Sequence, residues 1–336
     1  MKSEYSVSII VPAYNSEKTI QDSLSRIIEE SKKIKSEILV VDDKSTDKTR
    51  EIVKKFNDIK LIELEKNQGA GNARNIGAEQ AKFEILCFID SDIEISENSI
   101  LNLVNRLYKD EETGSVAATQ NTINLNKKSW SSNFVCLKSC YGIDEIQKEK
   151  FFSSICSEFC VISKKLFNQI DKWKVLYDAG GEEFDLGYKI RQLNKKNIKL
   201  KSACYSGYWC SLYVRFKRII HRTAKYIPLL LKKKKFDTKG TFATFNQVLS
   251  SFFTLFIILH IFISYFFYNS YLVIGLIILF ILQLFIELNF LKFAKKIYGF
   301  KMVIFSFFAI HVINLGILLG VIFYIYKNTI NLKLNR

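Results

Sequence analysis

Asp90 and Asp92 stand one residue apart, just past the apolar run EILCFI (84–89). Two carboxylates at this spacing on a turn can hold Mg2+ or Mn2+ through hard oxygen ligands while the ion bridges a diphosphate. The plainer alternative is an acidic turn that caps the next helix. Asp42 and Asp43 follow another apolar run, where a carboxylate can accept from a base N–H or a ribose hydroxyl. Arg74 comes shortly after Gly69-Ala70-Gly71. A guanidinium grips two diphosphate or sugar oxygens at once, or else forms a surface ion pair. The two glycines let backbone approach a ligand closely. Glu182, Glu183 and Asp185 form a last acidic group on a turn entering a helix. Such acids can take a proton from a reacting hydroxyl, or simply favour the helix dipole.

These residues need elements that bring them together. SVSIIV (6–11), EILVV (37–41), IKLIEL (59–64) and EILCFI are short β-branched runs. Helical stretches over Glu17–Lys33, Asp47–Phe56 and Ala70–Ala81 separate them. The alternation predicts a parallel sheet with helices on both faces, and such sheets bind ligands at the carboxyl ends of their strands. Each of the four ends is polar: Pro12-Ala13-Tyr14-Asn15, Asp42–Asp47, Asn67–Asn75 and Asp90-Ser91-Asp92. A dinucleotide fold is disfavoured, because Arg74 stands where a third glycine should be and the motif follows the third strand. No P-loop lysine pattern occurs.

In this order SIIVPAYN (8–15), VVDDKSTDKT (40–49), NQGAGNARNIG (67–77), FIDSD (88–92) and GGEEFDLGYKIR (180–191) resemble a family 2 glycosyltransferase over roughly residues 5–212. The resemblance implies an α/β fold, a mostly parallel sheet sandwiched by helices (glycosyltransferase A-type). It implies a nucleotide-diphospho-sugar donor and Mg2+ or Mn2+. Asp92 would be the more direct metal ligand, with Asp90 nearer the ribose and sugar. Pro12, Ala13, Tyr14, Asp42, Asp43, Gly69, Arg74, Asp90 and Ser91 would bind the donor. Relatives usually carry aspartate as the base where this chain has Glu183, so Glu183 leads, with Glu182 and Asp185 as alternatives. Trp173 occupies the place of an acceptor-side aromatic, although core packing explains it equally well. The Gln-x-x-Arg-Trp motif of processive synthases is missing, which favours transfer of a single sugar.

The chain has 336 residues, 49% hydrophobic and 24% charged, which excludes intrinsic disorder. Its formal charge of +16 is unevenly spread: residues 1–212 hold 32 Lys+Arg against 31 Asp+Glu, residues 213–243 hold 10 against 1, and residues 244–336 hold 7 against 1. A near-neutral first part argues against nucleic acid as a partner. Apolar runs at about 245–268, 271–291 and 302–326 are long enough to span a bilayer. Lys232–Lys235 and the cluster Lys292, Lys295, Lys296, Lys301 place residues 1–244 and the second turn in the cytoplasm and the C-terminus outside; the mildly basic tail opposes this. SIIVPAY is too short for a signal peptide. Seven cysteines before residue 212 fit a reducing compartment, as buried thiols rather than a zinc site built from Cys136, Cys140, Cys156 and Cys160. Three regions result: a cytosolic domain (1–212), a basic interfacial helix or linker (213–243) and a membrane domain (244–336). Gly316-x3-Gly320 permits close helix packing, within the chain or in a homo-oligomer.

The expectation is an integral membrane, metal-dependent, inverting glycosyltransferase. Its acceptor would be membrane-associated, such as polyprenyl phosphate or a lipid-linked glycan. The alternative is a catalytically inactive relative serving as a membrane scaffold.

Overall fold

A computed structural model describes residues 5–126, 129–141, 148–174, 182–233, 245–267 and 270–334. Gly180, Gly181, Lys234, Lys235, Tyr268 and Asn269, with the end of the basic linker, lie outside these residues. The chain divides into two compact units, Met1–Leu125 with Gly142–Tyr208, and Asn126–Tyr141 with Trp209–Arg336.

The first unit opens with β1 (Ser6–Ala13), α1 (Ile20–Ser31), β2 (Lys35–Asp42), α2 (Thr49–Val53), β3 (Ile59–Glu63), α3 (Ala70–Gln80) and β4 (Ile85–Ile89). It continues through β5 (Ile93–Ile95), α4 (Ser99–Leu107) and β6 (Thr113–Asn124). The chain then leaves for α5 (Trp130–Cys140) in the second unit. It returns for β7 (Glu149–Phe152), β8 (Phe159–Ser163), α6 (Lys164–Gln169), α7 (Glu182–Gln192) and β9 (Lys196–Gly207).

One sheet runs in the order β3-β2-β1-β4-β8-β6-β9-β5, with β7 on β9. The pairs among β3, β2, β1 and β4 are parallel, as the alternation predicts. Beyond β4 the sheet is mixed: β8 is antiparallel to β4 and β6, β9 is parallel to β6, and β5 and β7 are antiparallel to β9. "Mostly parallel" therefore holds for the first four strands alone. An antiparallel neighbour needs no crossover helix; β5 leaves β4 after a short turn and pairs with β9 instead.

Buried parallel strands read as continuous apolar runs because both of their faces are covered. In β1, Val7, Ile9 and Val11 pack with Ile20, Leu24 and Ile27 of α1, which share one helix face at i, i+4, i+7. Ile10 points the other way, to Leu39, Val41 and Ala73. There α3 lies close to the sheet, and a Cβ on Gly77 would stand 2.4 Å from Ile10 Cγ2. That close approach carries the start of α3, and Arg74 with it, to the strand ends.

The second unit joins α5 to α8 (Leu212–Lys233), α9 (Phe245–Phe266), α10 (Ser270–Tyr298) and α11 (Phe300–Leu334). Among the described residues, Phe245–Phe266, Ser270–Tyr298 and Phe300–Thr329 are long and apolar enough to cross a membrane. Only Gly299, at φ +78°, separates the last two helices, so the expected basic turn is mostly helix closed by a left-handed glycine. α5 buries Phe134, Val135, Cys136, Leu137 and Cys140. Phe134 meets Phe290 and Phe305 edge-on, at 6.0 and 6.2 Å between ring centres. Lys138 Nζ donates to Glu287 at 3.1 Å, and Ser250 donates to the other Glu287 oxygen at 2.7 Å. The one carboxylate within the apolar runs is thus paired, as a charge at such a position must be. Gly316 and Gly320 seat α8 of the same chain: a Cβ there would come within 2.4 Å of Ile219 and 2.6 Å of Thr223. This glycine stripe is filled from within the chain rather than by a second copy.

Candidate active site

The carboxyl ends of β1, β2 and β4 frame a cavity of about 200 Å³ lined by Pro12, Ala13, Tyr14, Ser16, Asp43, Ala70, Asp90, Ser91 and Asp92. Seven of these were predicted from sequence. Ser16 was not: its Oγ lies 2.8 Å from Ser91 Oγ, and its N–H donates to Thr49 Oγ1 at 2.7 Å. The position beside Tyr14-Asn15 was the available signal.

The two aspartates after β2 do different work. Asp43 accepts from the N–H groups of Gln68 and Gly69 at 2.8 and 2.7 Å. It therefore organises the loop before α3, where Gly69 sits at φ +88°, a conformation only glycine adopts readily. Asp42 accepts from the Ser45 N–H through Oδ2 at 3.1 Å, and its Oδ1 is buried without a partner. Asp42 itself is 1% exposed and does not line the cavity. Nearby, Asp47 accepts from the Thr49 N–H at the start of α2 and from the Glu17 N–H, both at 3.0 Å. Burial opposes ionisation of Asp47, but the Thr49 hydroxyl, which donates to it at 2.5 Å, and then these backbone hydrogen bonds prevail and hold its carboxyl below the usual value.

Arg74, 3% exposed, donates through Nη2 to Asp90 Oδ1 at 2.5 Å. Its guanidinium lies 5.3 Å from the centre of the Trp173 ring. Nε and Nη1 are buried with no partner. Burial alone would lower its pKa; the charge and hydrogen bond of Asp90, with Glu182 and Glu183, more than offset this and raise it. The two loop glycines divide their roles, since Gly71 approaches chain rather than ligand: a Cβ there would lie 3.3 Å from the Lys174 carbonyl oxygen.

The acids of α7 separate. Glu182 is buried, and Glu183 accepts from Ser157 Oγ–H at 2.5 Å. Asp185 pairs with Lys189 at 3.1 Å and lines a second cavity of about 530 Å³ with Asn75, Trp173 and Lys174 among others. Trp173 is 2% exposed; it meets Phe88 edge-on and its backbone is clamped by Asn75 at 2.9 and 3.0 Å. It is packed into the core and also borders the second cavity, with its indole N–H buried and unpaired.

Among the described residues, no three His, Cys, Asp or Glu side chains converge as a ready-made metal cage. Asp90 and Asp92 still fit a hard divalent cation, because both line the cavity and Mg2+ commonly takes one or two carboxylates, completing its shell with phosphate and water. All seven cysteines are free; burial pushes the Cys156 thiol up to about 11.

Residues 8–171 match the family model described as glycosyl transferase family 2. Poly-beta-1,6-N-acetyl-D-glucosamine synthase of Staphylococcus epidermidis is 27% identical over 191 residues, covering 55% of this chain and 45% of that protein. Glycosyltransferase GlyG of Streptococcus pneumoniae is 28% identical over 195 residues, covering 53% of this chain and 62% of that protein. The matched part thus spans less than two thirds of either relative. A solved mannosyltransferase, PcManGT from Pyrobaculum calidifontis in complex with GDP-Man and Mn2+, shares the fold at a TM-score of 0.56 and 15% identity, over 96% of this chain and 87% of that one. Residues 8–171, just under half of the chain, thus match a glycosyl transferase family 2 domain, and three apolar helices follow them.

Proposed function

We propose that the protein is a membrane-anchored, metal-dependent, inverting glycosyltransferase. It moves one sugar from a nucleoside-diphosphate sugar to an acceptor at the cytosolic membrane face, a polyprenyl phosphate or a lipid-linked glycan. One observation carries the reading: Arg74 is tied to Asp90 beside the cavity while two of its donors stay buried and unpartnered, an arrangement that diphosphate oxygens would complete.

In this reading Asp42 Oδ1 accepts from the nucleoside. Arg74 Nε and Nη1 donate to the diphosphate, and Asp90 and Asp92 hold Mg2+ or Mn2+. When bound, the ion supplies positive charge against the departing nucleoside diphosphate. Glu183 takes the proton of an acceptor hydroxyl as its oxygen attacks the anomeric carbon opposite the leaving group, so configuration inverts. The basic clusters around the apolar helices support a cytosolic catalytic domain and an outside C-terminus.

The test is nucleoside-diphosphate release from UDP-, GDP- and dTDP-sugars by the full chain in detergent. It is run with Mn2+ or Mg2+, then with EDTA, and with Asp92→Ala. Metal-dependent release from one donor, lost in the variant, is expected. Failure to bind any nucleotide sugar in the presence of metal would refute the proposal in favour of an inactive scaffold.

A further inference from the structure

Residues 153–158, which lead into β8, touch both ends of the chemistry. The Glu158 carbonyl accepts from the Asp90 N–H at 2.9 Å, continuing the antiparallel register in which Ile89 pairs with Phe159. One residue earlier, buried Ser157 donates its hydroxyl to Glu183 Oε1 at 2.5 Å. The Ile155 N–H donates to the Glu183 carbonyl at 3.2 Å, which fixes the backbone of the same residue. Helix α7 is pressed against this segment at Gly187, where a Cβ would stand 2.6 Å from Ser154 Cα. On the far side the Glu158 carboxylate accepts from the Tyr205 hydroxyl, anchoring the segment to β9.

A glutamate carboxylate swings about three torsions, and the charge of Arg74 attracts Glu183 without choosing among its rotamers. A short hydrogen bond from a buried, backbone-anchored hydroxyl does choose. It holds Oε1 in one place. We propose that Ser157 is a positioning residue for Glu183, and that segment 155–158 sets this carboxylate and Asp90 in one fixed register. The inference rests on reading Glu183 as the proton acceptor.

The test uses the full chain in detergent with its active nucleotide sugar and water as acceptor, since water must lose a proton whatever the natural acceptor is. Glu183→Gln is measured first. If it keeps wild-type release, the reading of Glu183 fails and the positioning role falls with it. If Glu183→Gln is inactive, Ser157→Ala is expected to lower kcat about 10–100-fold, the scale of a small misplacement of a catalytic group. Its KM for the donor should stay within about twofold, the signature of an interaction used after binding. Ser157→Thr, which keeps the hydroxyl, should recover kcat to within about threefold. Glu183→Asp draws the carboxylate back out of reach of Ser157, so Glu183→Asp with Ser157→Ala should be no more than about threefold slower than Glu183→Asp alone. An unchanged kcat in Ser157→Ala, equal loss in Ser157→Thr, or independent losses in the double variant would each overturn the proposal.

Discussion

Replacing Arg74 by methionine separates what the guanidinium does for the fold from what it does for the reaction. Methionine keeps an unbranched stem and a favourable contact with the Trp173 ring, while the charge and every donor disappear. On the stability side, Asp90 loses its 2.5 Å partner, and at 23% exposure it is only partly rehydrated. That costs about 1–3 kcal/mol. Against it, the ligand-free protein no longer buries Nε and Nη1 unpaired, each worth about 1–3 kcal/mol of penalty. The relieved penalties are the larger sum, so at mid-range the variant should be more stable by about 2 kcal/mol. On the reaction side, two charge-assisted hydrogen bonds at about 1.5–3 kcal/mol each are lost. Together they amount to about 3–6 kcal/mol, or 10²–10⁴ in kcat/KM. The assay pairs donor turnover with thermal unfolding of the full chain in detergent, with and without the released nucleoside diphosphate. At 100 times Kd the nucleotide should stabilise the wild type by about 2.7 kcal/mol and the variant far less. A variant that fails to fold would show that the guanidinium is structural. One that keeps kcat/KM within about tenfold would show that Nε and Nη1 never meet the diphosphate.

Asp92→Asn, or EDTA with the wild type, should reduce donor turnover by at least about 10², and added Mn2+ or Mg2+ should restore the wild type alone. Glu183→Gln distinguishes acceptors, because a phosphate monoester arrives already ionised. Transfer to a hydroxyl should fall about 10²–10⁴-fold, whereas transfer to polyprenyl phosphate should fall less than about tenfold. Gly320→Val puts methyls where Thr223 Cβ and the Ile220 carbonyl stand at 2.6 and 2.7 Å. It should lower thermal stability in detergent by about 1–3 kcal/mol, and an unchanged melting profile would mean that α8 does not rest on that stripe.

Strand-end chemistry was legible because each apolar run stops at a polar motif, and the chain is tightly constrained there. Pro12, Ala13, Tyr14, Asp43, Asp90, Ser91 and Asp92 do line one cavity. The direction of a side chain was not legible. Asp42 and Asp43 are the same residue type in adjacent positions, yet one is tied to a loop backbone and the other keeps a free buried oxygen. Ser157 is one of three serines in the loop between β7 and β8, and its role depends on α7 arriving from 26 residues away. The mixed half of the sheet was hidden for another reason. β6 reads TGSVAATQNTIN, a buried strand built of small and polar residues, which hydropathy does not distinguish from a loop. Helix α5 buries apolar residues whose partners lie more than 150 positions onward, at Phe290 and Phe305.

That placement of α5 means the anchor is not a detachable module. The polypeptide passes between the two units after Leu125, again after Tyr141 and again after Tyr208, so no single cut parts them. A fragment ending at Tyr208 keeps α5 but strips Phe134, Val135 and Leu137 of their covering. A fragment starting at Trp209 leaves a matching apolar face bare. Grafting this domain onto a different anchor therefore requires two splices, one replacing residues 126–141 with a short loop. A swap at the obvious boundary instead bares apolar surface on both halves.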